Sequence, residues 1–192
     1  MKKLLALVVV LLMSTAQAAS GEVDARQLLD ESRKVSARLV SDIGGELVRE
    51  LKVTGPVRAI IVCKYTAPEA ATAISRETGM RVTRVSLRPR NRTIGEPDAW
   101  EQQVLLDFEK RMAGGEKPET IEHFEIVVEP RGRSFRYLKA IPMGQVCLTC
   151  HGPSANIPEA VRAKLNVEYP HDRGVDFKTG QVLGAVSIKK PL

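Results

Sequence analysis

Two cysteines and a histidine near the C-terminal end of the chain have the spacing of a cofactor attachment site. The stretch Cys147-Leu148-Thr149-Cys150-His151 places two thiols three residues apart and an imidazole directly after the second. Thiols at this spacing reach the two vinyl groups of one porphyrin, and the imidazole then projects toward the iron as a ligand. The sequence therefore predicts a single covalent haem c, attached at Cys147 and Cys150, with His151 as an axial ligand.

Three other interpretations of this stretch compete with haem attachment. A redox-active cysteine pair is expected between a strand and a helix, whereas here two predicted antiparallel strands come before it. A zinc site would take Cys63, Cys147, Cys150 and His151 as ligands, although adjacent residues bind one small ion awkwardly. A structural disulfide between Cys147 and Cys150 is the third alternative. Haem attachment is favoured because it also agrees with the N-terminal sequence.

The first residues have the pattern of a secretory signal. Met1-Lys2-Lys3 is basic, an apolar run follows, and Ala16-Gln17-Ala18 is a small-x-small cleavage site. The apolar run is shorter than the roughly 20 residues that a membrane-spanning helix needs, although a retained membrane anchor is the alternative. We therefore expect residues 1–18 to be a signal peptide cleaved after Ala18, and residues 19–192 to form one periplasmic domain without stable membrane insertion.

The composition excludes some partner classes. The chain has 192 residues, with 29 Lys and Arg against 23 Asp and Glu, a formal net charge of +6. These charges are interspersed, and no basic and aromatic motif accompanies them, so we expect no nucleic-acid partner. A chain of this length can bury a core without disulfides. Three free cysteines are a liability in an exported protein, so each one should have a role.

The ligand on the iron face opposite His151 is not determined by the motif. Cys63 lies in an apolar segment far away in sequence, and a thiolate can ligate haem iron. A buried free cysteine is an equally acceptable interpretation of Cys63, because cysteine is among the most buried residue types. The other candidates are Met80, Met112, Met143, His123 and His171.

The periodicity of the chain predicts an α+β fold with an antiparallel sheet. Apolar residues recur every four positions in a long amphipathic helix over residues 22–52. The apolar segment Val57–Tyr65 is either a short helix after Pro56 or a buried strand. The remaining predictions are helices over 68–78, 97–112 and 158–165, strands over 80–87, 121–128, 135–141 and 182–188, and a polar loop over 88–98. Helices first and adjacent strands later are typical of α+β proteins.

Several separated motifs, in the right order, resemble the single-haem c-type domain family with a PAS-like fold and His/Cys axial ligation. The motifs are Gly55-Pro56, Ala59–Cys63, Ala67-Pro68, Arg84–Arg88 with Arg90-Asn91, Pro97–Glu101, Cys147–Gly152, and the tail from Tyr169-Pro170 through Gly184–Ser187 to Pro191-Leu192. The resemblance implies a PAS-like antiparallel sheet, a haem held by Cys147 and Cys150, and His151 and Cys63 as axial ligands. Such domains often form the sensor part of histidine kinases. Because no transmitter follows here, we expect any signal to pass to a separate signalling protein.

The favoured hypothesis is therefore a periplasmic redox or small-gas sensor with a His/Cys-ligated haem. The alternative is a single-haem cytochrome that carries electrons to a redox partner. A haem enzyme such as a peroxidase would need acid and base groups at an open distal site, and no residue can be placed there, so we expect no enzyme. Arg84, Arg88 and Arg90 either pair with haem propionates or form a solvated basic loop.

Overall fold

The computed structural model describes residues 24–192. Helices dominate its N-terminal part, and the last strand completes a sheet built mainly by the C-terminal part. The helices are α1 (Ala25–Val53), α2 (Pro56–Ile61), a π-helix (Val62–Thr66), α3 (Ala67–Thr78), α4 (Arg92–Gly95), α5 (Ala99–Ala113), α6 (Leu148–His151) and α7 (Glu159–Glu168). The strands are β1 (Arg81–Val85), β2 (Glu122–Glu129), β3 (Gly132–Pro142) and β4 (Val182–Pro191). Two 3₁₀ turns, Gln145–Cys147 and Ser154–Asn156, flank α6.

The predicted signal peptide, residues 1–18, and its cleavage site after Ala18 lie outside the described residues. Within residues 24–192, no helix combines the length and the apolar character that crossing a membrane requires. Export of the chain and the boundary of its mature domain therefore stay predictions.

The four strands form one antiparallel sheet in the order β1-β4-β3-β2. The β2-β3 hairpin turns at Pro130 and Arg131, and Gly132 has a φ of 122°, which favours glycine. Strand β4 runs three residues beyond the predicted end, because its pairing with β3 continues to Ser134 and Pro191. The α+β class, the antiparallel sheet and the long N-terminal helix are confirmed.

Helix α1 forms because its apolar positions recur at helical spacing and its first turn is capped. The Asp24 side chain accepts hydrogen bonds from the backbone N–H groups of Arg26 and Gln27, which have no partners within the helix. Leu39 and Ile43 are buried on the inner face. The glycine pair at 44 and 45 does not interrupt the helix, since packing of this face outweighs its propensity cost.

Both faces of the sheet are covered, which explains why β3 is buried almost continuously. Phe135 and Tyr137 of β3 pack against α1 and α3 on one face. Leu138 and Ala140 pack against α5 on the other face, together with Phe108. A third apolar cluster joins α2 to α7, beside the stretch that carries Cys150. The sheet is thus a rigid support between two helical layers.

The structure decides between two predicted alternatives in one segment and differs from the prediction in another. The segment Val57–Tyr65 is helical and not a strand, since α2 passes directly into the π-helix. The polar loop over 88–98 contains one helical turn, α4, which packs back on β1. The next helix begins at Ala99 because Asp98 and Glu101 form a reciprocal capping box at its N-terminus.

Candidate functional site

A cavity between α3, β1 and the loop after β1 is the place where the predicted chemistry converges. Cys63 and His151, which lie 88 positions apart in the sequence, both line it. Its volume is about 250 Å³, far more than the roughly 10–15 Å³ that one ordered water molecule needs. Its walls are mostly apolar, with a few polar side chains at the loop. This composition is typical of a site for an organic ligand.

The Cys147–His151 stretch forms a compact turn at the edge of this cavity. A 3₁₀ turn ends at Cys147 and α6 continues to His151, so both thiols and the imidazole lie within about two helical turns. Gly152 ends α6, and a Cβ there would lie 2.6 Å from the Leu148 carbonyl oxygen. Only glycine therefore fits after the histidine. All three cysteines are partly buried and carry free thiols, so no disulfide joins Cys147 to Cys150.

The imidazole of His151 is held in a single orientation. Its Nδ1 lies 2.6 Å from the carbonyl oxygen of Gly174. A carbonyl only accepts hydrogen bonds, so Nδ1 carries the hydrogen and donates it, which leaves the lone pair on Nε2 for a metal. Burial, followed by the charge of Arg90, lowers the pKa of His151 to about 3. The imidazole is therefore neutral, the form that binds iron.

The loop after α7 provides the brace for His151. Arg90 donates hydrogen bonds to the carbonyl oxygens of Gly174 and Cys150, at 2.9 and 2.5 Å, and its Nε lies 2.9 Å from Asp172. At Gly174 a Cβ would approach Arg90, Asp172 and His151 to 3.2–3.3 Å. The brace thus requires a residue without a side chain at position 174. It ties the attachment turn to the loop after β1.

Arg88 makes a second connection between these loops. Its guanidinium donates a hydrogen bond to the Val175 carbonyl at 3.0 Å and lies 3.6 Å from the centre of the Phe177 ring. The Phe177 ring in turn contacts His151 edge to face. Arg88 and Arg90 therefore support His151 and bond to protein groups, so they do not form a solvated loop, whereas their pairing with propionates stays a prediction. Arg84 differs from both, because its guanidinium has no hydrogen bond or ion pair within residues 24–192.

Cys63 lies in the π-helix, and the following residues explain this unusual geometry. The backbone N–H of Ala67 bonds to the Val62 carbonyl, five residues back. Pro68 has no N–H, and its ring would clash with the carbonyl four residues earlier in a regular α-helix. The wider turn before Pro68 relieves that conflict. Single π-turns occur often at functional sites, where they redirect a side chain.

The three thiols lie near one another. Burial raises the pKa of the Cys147 thiol, and it raises the pKa of Cys150 to about 11. The charge of Cys63 contributes to both shifts in the same direction. Cys63 thus lies close enough to the two attachment cysteines for its charge to act on them, and it lines the same cavity as His151.

The other predicted sixth ligands lie elsewhere. Met80 and Met143 are buried in the protein, at 2% and 1% exposure, and Met112 packs against the α5 side of the sheet. His171 is exposed, and His123 is half-exposed beside the Trp100 ring. Of the six candidates, the cavity wall contains Cys63 alone. Among the described residues, no group of three or more His, Cys, Asp or Glu could hold a metal ion, which leaves the zinc alternative without a preformed ligand set.

Two contributors to the site were missed by sequence reasoning. Tyr169 is buried at 6% exposure and lines the cavity. Burial, followed by the charge of Cys63, raises the pKa of its phenol. Gly174 supplies the carbonyl that orients His151. Both lie in the segment that was predicted only as a loop, and a backbone carbonyl carries no side-chain signal. The pairing of His151 with Gly174 can be found only from the folded chain.

The comparisons with known proteins agree with this architecture. Residues 10–191 match the family model described as Tll0287-like: Tll0287. The crystal structure of the cyanobacterial heme-protein Tll0287 is similar, with a TM-score of 0.67 at 20% identity, covering 86% of this chain and 95% of that chain. At this identity the likeness shows the fold alone. No curated protein matches the chain. Since the family model spans nearly all of the sequence, the chain belongs to the Tll0287-like family.

Proposed function

We propose that this protein is a periplasmic c-type haem protein that senses redox state or a small gas. Cys147 and Cys150 would form the thioether bonds to one haem, and His151 and Cys63 would be the axial ligands. The observation that carries the proposal is the convergence of Cys63 and His151 on one cavity, with the other two thiols in the turn that carries His151. The haem bound by Tll0287, a protein of similar fold, supports the same conclusion.

The residues present fit this cofactor. The donor set, two thiols three residues apart followed by a histidine, is the set that covalent haem attachment uses. The neutral imidazole presents Nε2 as a free donor, since Nδ1–H is bound to Gly174. Apolar side chains of α3, β1 and β4 form the cavity wall, including Ala71, Val82 and Leu183. A bound haem would supply an iron centre that changes oxidation state and exchanges an axial ligand.

The contrast between the two proposed ligands favours a sensor. His151 is fixed by Gly174, Arg90 and Phe177. Cys63 lies in a π-helix, a rare geometry that is frequent at functional sites, and an ion pair between the neighbouring Lys64 and Glu168 connects this turn to α7. A thiolate is held less tightly once a one-electron donor has reduced the metal. Cys63 would then leave, take a proton from water, and move the π-helix.

A plain electron carrier is the alternative, and the firm support of His151 favours it. Because ligands that do not rearrange suit electron transfer, a carrier would keep the same two axial ligands in both oxidation states. The PAS-like interpretation of the fold, the periplasmic location and the separate signalling or redox partner are parts of the proposal. No residue is assigned a catalytic role.

The test measures two properties: whether haem stays bound after denaturation, and whether the reduced protein exchanges an axial ligand. The full chain, expressed for export, should retain haem after denaturation, and the double variant Cys147→Ala/Cys150→Ala should retain none. Cys63→Ser is the matched control, because it removes a thiol of the same site without removing an attachment point. Covalent haem in the double variant would contradict the proposal. A sensor should take up carbon monoxide when reduced, whereas an unreactive reduced protein would favour the carrier.

A further inference from the structure

The cavity contains a cation for which residues 24–192 provide no partner. Three arginines line it, namely Arg84, Arg88 and Arg90. Arg90 lies against Asp172, and Arg88 is bonded to Val175 and stacked on Phe177. Within residues 24–192, the Arg84 guanidinium has neither a hydrogen bond nor an ion pair, and no Asp or Glu lines the cavity. A half-buried cation without a counter-charge is costly, so this position is suited to an anion that a ligand brings.

The position of Arg84 places this cation inside the site. The residue lies on β1, where it pairs with Val186 of the neighbouring strand β4, and its side chain is half-buried. Arg84 and the proposed axial ligand His151 line the same cavity. The backbone of this region is fixed, because the Ser86 N–H bonds to the carbonyl of Gly95 at 3.1 Å. The guanidinium is therefore presented from a strand and not from a mobile loop.

The rest of the wall indicates the chemistry of the ligand. Ala67, Ala71, Val82, Val85 and Leu183 contribute apolar side chains to the wall, and Arg84 contributes a cation. Such a wall suits a flat apolar body with an anionic group at one edge. The planar guanidinium matches a carboxylate through two parallel hydrogen bonds, a geometry that lysine cannot reproduce.

We propose that Arg84 binds a carboxylate of the ligand in this cavity, which, resting on the function proposed above, is a propionate group of the haem. Arg84 is thereby a cofactor-positioning residue, distinct from the axial ligands and from the attachment cysteines. Arg88 and Arg90 bind groups of the protein, whereas Arg84 binds the cofactor. This division explains why the arginine of β1 and the two arginines of the following loop have different surroundings.

The experiment compares Arg84→Gln with Arg81→Gln in the full exported protein. Arg81 is an exposed arginine of the same strand, three residues away. The propionate bending bands in resonance Raman spectra report hydrogen bonds to the propionates. All variants are compared at the same pH. Arg84→Gln should shift one band and lower the reduction potential, because a carboxylate without its cation favours ferric iron. Arg84→Lys should give a smaller shift, and Arg81→Gln none.

The outcomes separate this inference from the proposed function. Normal covalent haem together with unchanged propionate bands in Arg84→Gln would overturn the role of Arg84 alone. Absence of haem from the wild-type protein would overturn the proposed function, and the inference with it. If Arg84→Gln yields no holoprotein, Arg84→Lys decides, since a single ammonium cannot form the two-bond contact. Bands identical to wild type in that variant would contradict the inference.

Discussion

Two buried clusters of polar side chains, one under α5 and one in the cavity, differ in whether their charges have partners within the chain. Under α5, Arg136 is only 4% exposed and lies 2.6 Å from Asp98 and 3.3 Å from Glu101. Its guanidinium also stacks on Trp100, and Glu101 accepts a hydrogen bond from Ser187. Charges of both signs therefore meet, and this cluster leaves little for a ligand to contribute.

The cavity has the opposite character. Cys63, His151 and Arg84 point into one space, and each of them has a group for which the described chain offers no strong partner: a thiol, an imidazole Nε2 and a guanidinium. The comparison teaches that burial of polar groups alone does not identify a functional site. What distinguishes the cavity is that the thiol, the imidazole Nε2 and the Arg84 guanidinium have no partner in the described chain, while the supporting residue Arg90 has both hydrogen bonds and an ion pair.

The largest expected effect comes from breaking the cluster under α5. Removing one partner of a buried charge network leaves an uncompensated charge and typically costs about 3–5 kcal/mol. Arg136→Ala should lower the free energy of unfolding in urea by that amount, while Arg133→Ala, an exposed arginine of the same strand, should cost less than about 0.5 kcal/mol. Equal costs for the two variants would mean that the cluster is not a stabilising element.

The second prediction concerns Cys63. In Cys63→Ser the haem should stay attached, the ferric spectrum should lose its low-spin thiolate character, and the reduction potential should rise by at least about 59 mV, which corresponds to about 1.4 kcal/mol. Tyr65→Phe, at an exposed position of the same π-helix, is the control. An unchanged spectrum and potential in Cys63→Ser would make Cys63 a packing residue and favour the electron carrier.

The third prediction addresses the brace of His151. A methyl group in Gly174→Ala would lie 3.2–3.3 Å from Arg90, Asp172 and His151, a few tenths of an ångström too close. We expect a loss of about 1 kcal/mol in unfolding free energy, at the low end for overpacked sites, and a shifted iron–histidine stretching band in the reduced protein. Gly44→Ala, where a Cβ meets nothing within 4 Å, should cause neither change.

The smallest expected effect is the pH dependence of the α5 cluster. Burial opposes ionisation of Asp98, but hydrogen bonds from Arg136 and from the Glu101 backbone outweigh it, so the pKa of Asp98 lies below the ordinary 3.8. A lowered carboxyl pKa stabilises the folded protein above pH 3.8, and this contribution is lost as the pH falls through the folded-state pKa.

Asp98→Asn keeps the helix cap and removes the charge, so it isolates this effect. The unfolding free energy of the variant should fall less steeply with acid than that of wild type. Asp107→Asn, an exposed carboxylate of the same helix, should retain the wild-type slope. A variant of Asp98 with the wild-type slope would place the acid sensitivity elsewhere in the protein.

The local chemistry of this protein can be predicted from its sequence. The attachment stretch Cys147–His151, the helical periodicity of α1 and the adjacent strands of the sheet are short-range patterns, because they depend on residues a few positions apart. The capping box at Asp98 and the glycine after His151 belong to the same class. Each pattern is determined by backbone geometry within one or two turns, so no long-range contact is needed to recognise it.

Only the tertiary structure decided which distant residues share the site. Sequence left Cys63 balanced between ligand and core thiol, treated three arginines alike, and assigned no role in the site to Tyr169 or Gly174. The order β1-β4-β3-β2 sets β1 and its loop beside the last strand, and packing of α2 against α7 brings the π-helix toward the attachment turn. These contacts join segments separated by some 60–100 residues, and their geometry arises from how two helical layers pack on one sheet.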